Sequence, residues 1–296
     1  MSKLTILLLV LIMFISGNAQ SQLKVTQSQE DKVAIARRRV VEPPGITQLD
    51  SPVVNVPMVG TKTLPLVEVK FNGKGPYKLL VDSGANVTLL QMRVADELKL
   101  PVLRPGDKSK LVTLESVQMG GAHFRDLVVG ARAWDEKIDG VLGFNLFADC
   151  LLTMDYPRQQ ISLRKGVLPK ANGKDIFTYS LNDNRHPVIE ITIGKERSIV
   201  MIDTGAAQGV VVTEALAPKL RFASELVPGP KLSTFTAPES RALVGRLSGR
   251  ISIGIHEIWE PTVYVWKEEY PIIGSGLFQD FILTFDQKNR TVRMSV

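Results

Sequence analysis

Apolar and polar residues alternate with a period of two along most of the chain. Val67, Val69 and Phe71 alternate with Glu68 and Lys70, and Ile189, Ile191 and Ile193 alternate with Glu190 and Thr192. The pattern returns at Ile251, Ile253 and Ile255, and at Val292, Met294 and Val296. Successive side chains of a strand point to opposite faces, so each segment predicts a strand with one face in a core and one toward solvent. Gly, Pro and Asn punctuate the segments at the spacing of a sandwich or barrel. Helical patterning is confined to Met92 to Leu100, Ala215 to Leu220 and a turn at Phe144 to Ala148. The chain therefore reads as all-β, with few short helices.

Two N-terminal stretches fall outside this pattern. Lys3 precedes an apolar run from Leu4 to Ile15, and the small residues Gly17 and Ala19 follow it. That is the form of a secretory signal peptide cleaved near Ala19. The run is too short to cross about 30 Å of hydrocarbon, and no later segment is long and apolar enough to do so. Residues 1–19 are expected to be a signal peptide, and the protein is expected to be exported, periplasmic or secreted. Residues 20–51 are polar and close on Pro43-Pro44-Gly45. They are expected to be an arm or linker, or alternatively a removable pro-segment, an idea motivated by Arg37-Arg38-Arg39.

The strands are organised by an internal repeat. Pro65-Leu66-Val67-Glu68-Val69 matches Pro187-Val188-Ile189-Glu190-Ile191. Leu79-Leu80-Val81-Asp82-Ser83-Gly84-Ala85 matches Val200-Met201-Ile202-Asp203-Thr204-Gly205-Ala206. Val141-Leu142-Gly143, Leu146-Phe147, Asp149, Leu152-Thr153 and Asp155 then match Ile272-Ile273-Gly274, Leu277-Phe278, Asp280, Leu283-Thr284 and Asp286. The blocks keep the same order, which marks a tandem duplication with units of 52–170 and 171–296. Two copies are too few for a solenoid, so packing about a pseudo-two-fold axis is expected.

Each copy carries the same chemical element. A buried apolar run delivers Asp82 or Asp203 to a turn, and the Gly two residues on lets backbone approach closely. One such motif reads most simply as an Asx-turn after a strand. Two in register, each with a matching apolar-apolar-Gly downstream, point to a shared site at the axis. Two carboxyls in contact cannot both ionise and share one proton. One can then act as general base toward a water while the other protonates a carbonyl. Such a site needs no metal and no cofactor. The composition fits: the 296 residues include one cysteine and three histidines, which excludes an internal disulfide and any multi-cysteine metal centre. The net charge of +6 comes without a basic-aromatic stripe, which disfavours nucleic-acid binding. His256-Glu257 lacks a zincin's second His, Gly274-Ser275-Gly276 is no nucleophile elbow, and His123 and His186 read as surface or turn residues.

On the two Asp-Ser/Thr-Gly-Ala segments, the two apolar-apolar-Gly segments and Asn72-Gly73-Lys74-Gly75-Pro76-Tyr77, the chain resembles the aspartic proteases. It most resembles bacterial retropepsin-like proteins with two tandem lobes. The resemblance covers residues 52–296 and implies two homologous β-barrel lobes of the acid-protease fold. By it, Asp82 and Asp203 would be the catalytic dyad. Ser83 and Thr204 would cross-link the lobes, and Gly84 and Gly205 would hold the turns. Val141, Leu142, Gly143, Ile272, Ile273 and Gly274 would buttress the aspartates from behind. The implied activity is that of an exported aspartic endopeptidase, active as a monomer, taking a peptide or protein substrate in the inter-lobe cleft. The alternative is a non-catalytic peptide-binding or envelope-assembly protein on the same scaffold. Ala85 and Ala206 stand where pepsin-like enzymes carry Ser or Thr, as in retropepsins. A first-lobe flap is expected within Gly106 to Val117, and residues 91–118 hold no aromatic side chain.

Overall fold

The computed structural model describes residue 34 and residues 38–106, 108–134, 137–234 and 239–296. The expected signal peptide and much of the expected arm lie outside the described residues. The first half runs β1 (Ile46–Leu49), β2 (Val53–Pro57), β3 (Leu66–Phe71), β4 (Lys74–Asp82), β5 (Leu89–Gln91), α1 (Met92–Glu97), β6 (Val102–Arg104), β7 (Ser109–Met119), β8 (Ala122–Arg132), β9 (Gly140–Gly143), β10 (Leu151–Asp155) and β11 (Gln160–Arg164). The second runs β12 (Ile176–Thr178), β13 (Ser180–Leu181), β14 (Pro187–Ile193), β15 (Glu196–Asp203), β16 (Val210–Thr213), β17 (Val227–Leu232), β18 (Ser240–Arg246), β19 (Arg250–Ile253), β20 (His256–Trp259), β21 (Thr262–Trp266), β22 (Ile272–Gly274), β23 (Ile282–Asp286) and β24 (Thr291–Ser295). The fold is nearly all β, as the alternation predicts. The helix α1 stops short of the expected Leu100 because Lys99 takes left-handed backbone at φ 52° and Pro101 follows.

In the first half the sheet order is β1-β8-β5-β9-β4-β3-β7-β6, and β7 also pairs with β8. That extra pairing closes β8, β5, β9, β4, β3 and β7 into a six-strand barrel. In the second half the long hairpin equivalent to β7–β8 is interrupted, giving β18 and β19 on one limb and β20 and β21 on the other. Pro261 lacks an N–H for the ladder, and Gly249 and Glu260 take φ 127° and 46° at the break. The second half is accordingly a half-barrel on the path β17-β18-β21-β16-β22-β15-β14-β19-β20.

A third sheet joins the halves in the order β12-β24-β23-β10-β11-β2. Its centre is the antiparallel pair β10–β23, in which Thr153 faces Thr284. These two threonines match in the repeat, so the pseudo-two-fold axis passes between them. Their hydroxyls lie 3.0 Å apart on that axis. Thr153→Val is expected to cost about 1 kcal/mol in urea-unfolding measurements, the net worth of one hydrogen bond; no loss would show that the hydroxyl pair contributes nothing.

One apolar core runs through both halves. Val67, Val69 and Phe71 are at most 1% exposed, and Ile189, Ile191 and Ile193 at most 5%. A fully buried side chain of this size stabilises by roughly 1.5–3 kcal/mol. Phe144 from the first half packs on Phe285 from the second at 5.1 Å between ring centroids. Cys150 is buried just before β10. Two positions depart from the alternation. Ile255 is 64% exposed because it follows Gly254 in the β19–β20 turn, and Val296 is 83% exposed beyond the end of β24.

The expected arm is partly structured. β1 pairs with β8 from Ile46↔Arg125 to Leu49↔Ala122. Arg39 pairs with Asp126, and the Asn145 side-chain amide donates to the carbonyls of Val40 and Glu42. A four-residue edge strand with only half-buried inner positions leaves no periodicity to read in the sequence. The expected flap span also divides: most of it is β7, a full barrel strand, and the β6–β7 turn lies at its N-terminal end.

Candidate active site

β4 brings the buried run Leu79-Leu80-Val81 to Asp82, and β15 brings Val200-Met201-Ile202 to Asp203. Each strand is paired in parallel with its apolar-apolar-Gly partner. Leu80, Val81 and Asp82 lie beside Val141, Leu142 and Gly143; Met201, Ile202 and Asp203 lie beside Ile272, Ile273 and Gly274. Leu142 and Ile273 turn into the main core, whereas Val141 and Ile272 face the opposite side of the wall. The backing strands also hold the Asp turns directly. The N–H after Gly143, on Phe144, donates to Ala85 O at 2.7 Å, and the N–H after Gly274, on Ser275, donates to Ala206 O at 2.8 Å. A Cβ on Gly143 would sit 2.3 Å from the Val87 carbonyl carbon, and one on Gly274 would sit 2.2 Å from Gln208 O. Only glycine fits at either position.

Ser83 and Thr204 link the two turns reciprocally. The Thr204 hydroxyl accepts from the Ser83 N–H at 2.9 Å and donates to Val81 O at 2.9 Å. The Ser83 hydroxyl accepts from the Thr204 N–H at 3.1 Å and donates to Ile202 O at 2.7 Å. Both side chains are essentially inaccessible to solvent, so water does not compete for these bonds. The arrangement satisfies two backbone N–H and two backbone carbonyl groups that the tight turns would otherwise strand.

This cross-link sets the carboxyls against each other. A Cβ on Gly84 would meet the Asp203 carboxyl carbon at 2.5 Å, and one on Gly205 would meet that of Asp82 at the same distance. Each aspartate thus rests on the other half's glycine, and the two carboxyls lie within hydrogen-bonding reach of one another. Gly84 N–H donates to Asp82 Oδ1 at 2.7 Å; Gly205 and Ala206 N–H donate to Asp203 Oδ1 at 2.8 and 3.1 Å. Burial, then the charge of Asp203, pushes Asp82 well above the ordinary carboxylate value. Burial also raises Asp203, against the hydrogen bonds it accepts. The pair therefore holds one proton at a pH where an isolated aspartate has lost it. A carboxylate base and a carboxylic acid in contact can activate a water and protonate the carbonyl it attacks.

Further residues surround the pair. Tyr156 is buried in the turn just past β10, and its phenol is raised by burial and then by both aspartates. Glu268 is raised by burial and also feels Asp203. Thr88 and Ser275 steady the backing strands, the first by accepting from Gly143 N–H at 3.1 Å and the second by donating to Ala206 O at 2.8 Å. Neither carries a sequence signature that reveals this. Other repeat-matched aspartates do different work: Asp155 and Asp286 accept N–H bonds from Arg158 and Asn289 in turns. His123 pairs with Asp50, and His256 bonds Met294 O. His186 does lie in a turn, as expected, but it is half-buried and within electrostatic reach of Asp203. Among the described residues no helix is long and apolar enough to cross a membrane.

Residues 67–146 match a family model described as aspartyl protease. No curated protein matches the chain. The matched span holds Asp82, its turn and the backing strand that ends at Gly143. Together with the nearly all-β barrel fold, it supports an aspartic-protease relationship and, with it, peptidase activity.

Proposed function

We propose that the chain is an exported aspartic endopeptidase in which Asp82 and Asp203 act as one dyad. The observation that carries this reading is the pair of carboxyls, one from each half, cross-linked beneath by Ser83 and Thr204. The ionised carboxyl takes a proton from a water as its oxygen bonds to the peptide carbonyl carbon. The protonated carboxyl gives its proton to the carbonyl oxygen. As the C–N bond of the resulting tetrahedral centre breaks, the leaving nitrogen takes the dyad's proton, and a hydroxyl of the centre returns its own to the dyad as the new carbonyl forms. Because one chain supplies both aspartates, a monomer suffices. The signal-like residues 1–19 support export. An extended peptide would lie between the halves, paired strand-fashion with the β6–β7 and β17–β18 hairpins, whose outer strands end their sheets and expose Val102, Leu103 and Val227.

Incubating the protein with a diverse peptide library from about pH 3 to 8 and sequencing the products by mass spectrometry tests the reading. Cleavage at internal bonds, by preparations free of metal, is the expected result. Stable peptide binding with no cleavage at any pH would favour a peptide-binding protein on this scaffold instead.

A further inference from the structure

We propose that His186 is a positioning residue that acts on the dyad through Asp203, by placing a positive charge beside that carboxyl in mildly acid solution. The proposal rests on the aspartic-peptidase reading and adds a control that only one half of the molecule carries.

Strand register places the residue. In the first half the β3–β4 ladder ends at Leu66↔Leu80, with Leu64 two residues before Leu66 and Asp82 two residues after Leu80. In the second the β14–β15 ladder ends at Val188↔Met201, with His186 two residues before Val188 and Asp203 two residues after Met201. Each residue therefore leaves the ladder at the end where the paired strand delivers its aspartate, and His186 comes within electrostatic reach of Asp203. The repeat thus has leucine at this position in one half and histidine at the matching position in the other.

The segment around His186 is built rather than slack. Asn182 Oδ1 accepts the N–H groups of Asn184 and His186 at 3.1 and 2.9 Å, and Asn182 N–H donates to His186 O at 3.1 Å. Arg185 takes φ 63° to close the turn. From the first half, the side-chain amide of Asn86, two residues beyond Gly84, donates to Asn184 O at 2.7 Å. One turn of the second half is therefore pinned both to itself and to the opposite Asp turn, with His186 at its end.

Among the described residues, the titratable groups that act electrostatically on Asp203 or respond to it are Asp82 across the dyad, Glu268 from the segment after β21, Tyr156 just past β10 and His186 from this turn. Asp183 and Arg185 on the turn itself are exposed. Of these groups, among the described residues, His186 alone can be cationic. Burial holds its imidazole below the ordinary value and Asp203 pulls it back up; in return His186 favours ionised Asp203. Such a coupling is reciprocal by linkage. Protonated His186 would keep the general base ionised as the pH falls, extending hydrolysis on the acid side.

Two readouts decide the proposal. The first is a proton NMR titration of the three histidine C2–H signals in tag-free protein, wild type against Asp203→Asn, with His186→Gln for assignment. The His186 midpoint should fall by about half a pH unit or more in Asp203→Asn while His123 and His256 stay put. An unmoved His186 midpoint overturns the proposal whether or not the protein cleaves peptides. The second is the acid limb of kcat/KM in His186→Gln and in His186→Leu, the residue type at the matching first-half position. The limb should move up by about half a pH unit in both; an unmoved limb overturns the proposal. Wild type inert toward every peptide would instead defeat the peptidase reading, leaving the NMR result to judge the His186–Asp203 pair.

Discussion

Asp82→Asn and Asp203→Asn should each lower kcat/KM for peptide cleavage by at least about 1000-fold, and by similar amounts. A positioned general base or acid contributes roughly 100- to 10,000-fold, and in the proposed mechanism one carboxyl is the base toward the water while the other is the acid toward the carbonyl. An asparagine keeps the shape and can still accept the turn N–H bonds from Gly84 or Gly205, so the pocket survives while the shared proton does not. Stability should not fall with activity. A carboxyl held above its ordinary value in the fold contributes stability below its unfolded value, and that contribution is lost as pH rises through the folded one. At neutral pH the pair therefore burdens the fold, and a neutral amide relieves it. Thermal melts at pH 7 should show both variants at least as stable as wild type. Retained cleavage in either variant would show that the chemistry does not run through the dyad.

Thr204→Val should destabilise the molecule by about 3 kcal/mol. Its hydroxyl serves the Ser83 N–H and the Val81 carbonyl at a site with no measurable solvent exposure. Valine fills the volume and suits the backbone, but it strands one donor and one acceptor, each costing about 1–3 kcal/mol. Ser83→Ala should cost a similar amount, because the Ser83 hydroxyl makes the mirror-image pair of bonds. The double variant should lose less than the sum, since both changes release the same contact between the halves. Urea unfolding of the three variants checks this. A loss under about 0.5 kcal/mol for Thr204→Val would mean that the halves are held by the central sheet and core alone.

Much of this arrangement is legible in the sequence because the chain writes it twice. One Asp-Ser-Gly says little; two, each followed by a matched apolar-apolar-Gly, locate an axis, and the Thr153–Thr284 contact lies on it. Alternation marks strands such as β3 and β14 because one face of each is buried. It fails at β1, where an edge strand buries little, and at Ile255, where a glycine turn ends the ladder. The interruption of the long second-half hairpin, at Gly249 between β18 and β19 and at Pro261 between β20 and β21, is not read from the alternation, which is clear only at Ile251 and Ile253. Thr88 and Ser275 escape because ordinary polar residues become supports only through tertiary contact. His186 escapes for a different reason. Its place just before β14 follows from counting back from Pro187, yet its half-burial beside the dyad depends on a turn closed by Asn182 and latched by Asn86.

The pH dependence of kcat/KM on a single good peptide tests most directly whether Asp82 and Asp203 work as one proton-sharing pair. A bell-shaped profile is expected, its acid limb set by loss of the one ionised carboxyl and its alkaline limb by loss of the shared proton. Because burial raises both groups above 3.8, the ordinary value, and neither Ala85 nor Ala206 offers a hydroxyl to the ionised form, the maximum should fall in the weakly acidic to neutral range. A maximum below about pH 3, or a profile with a single limb, would contradict the account.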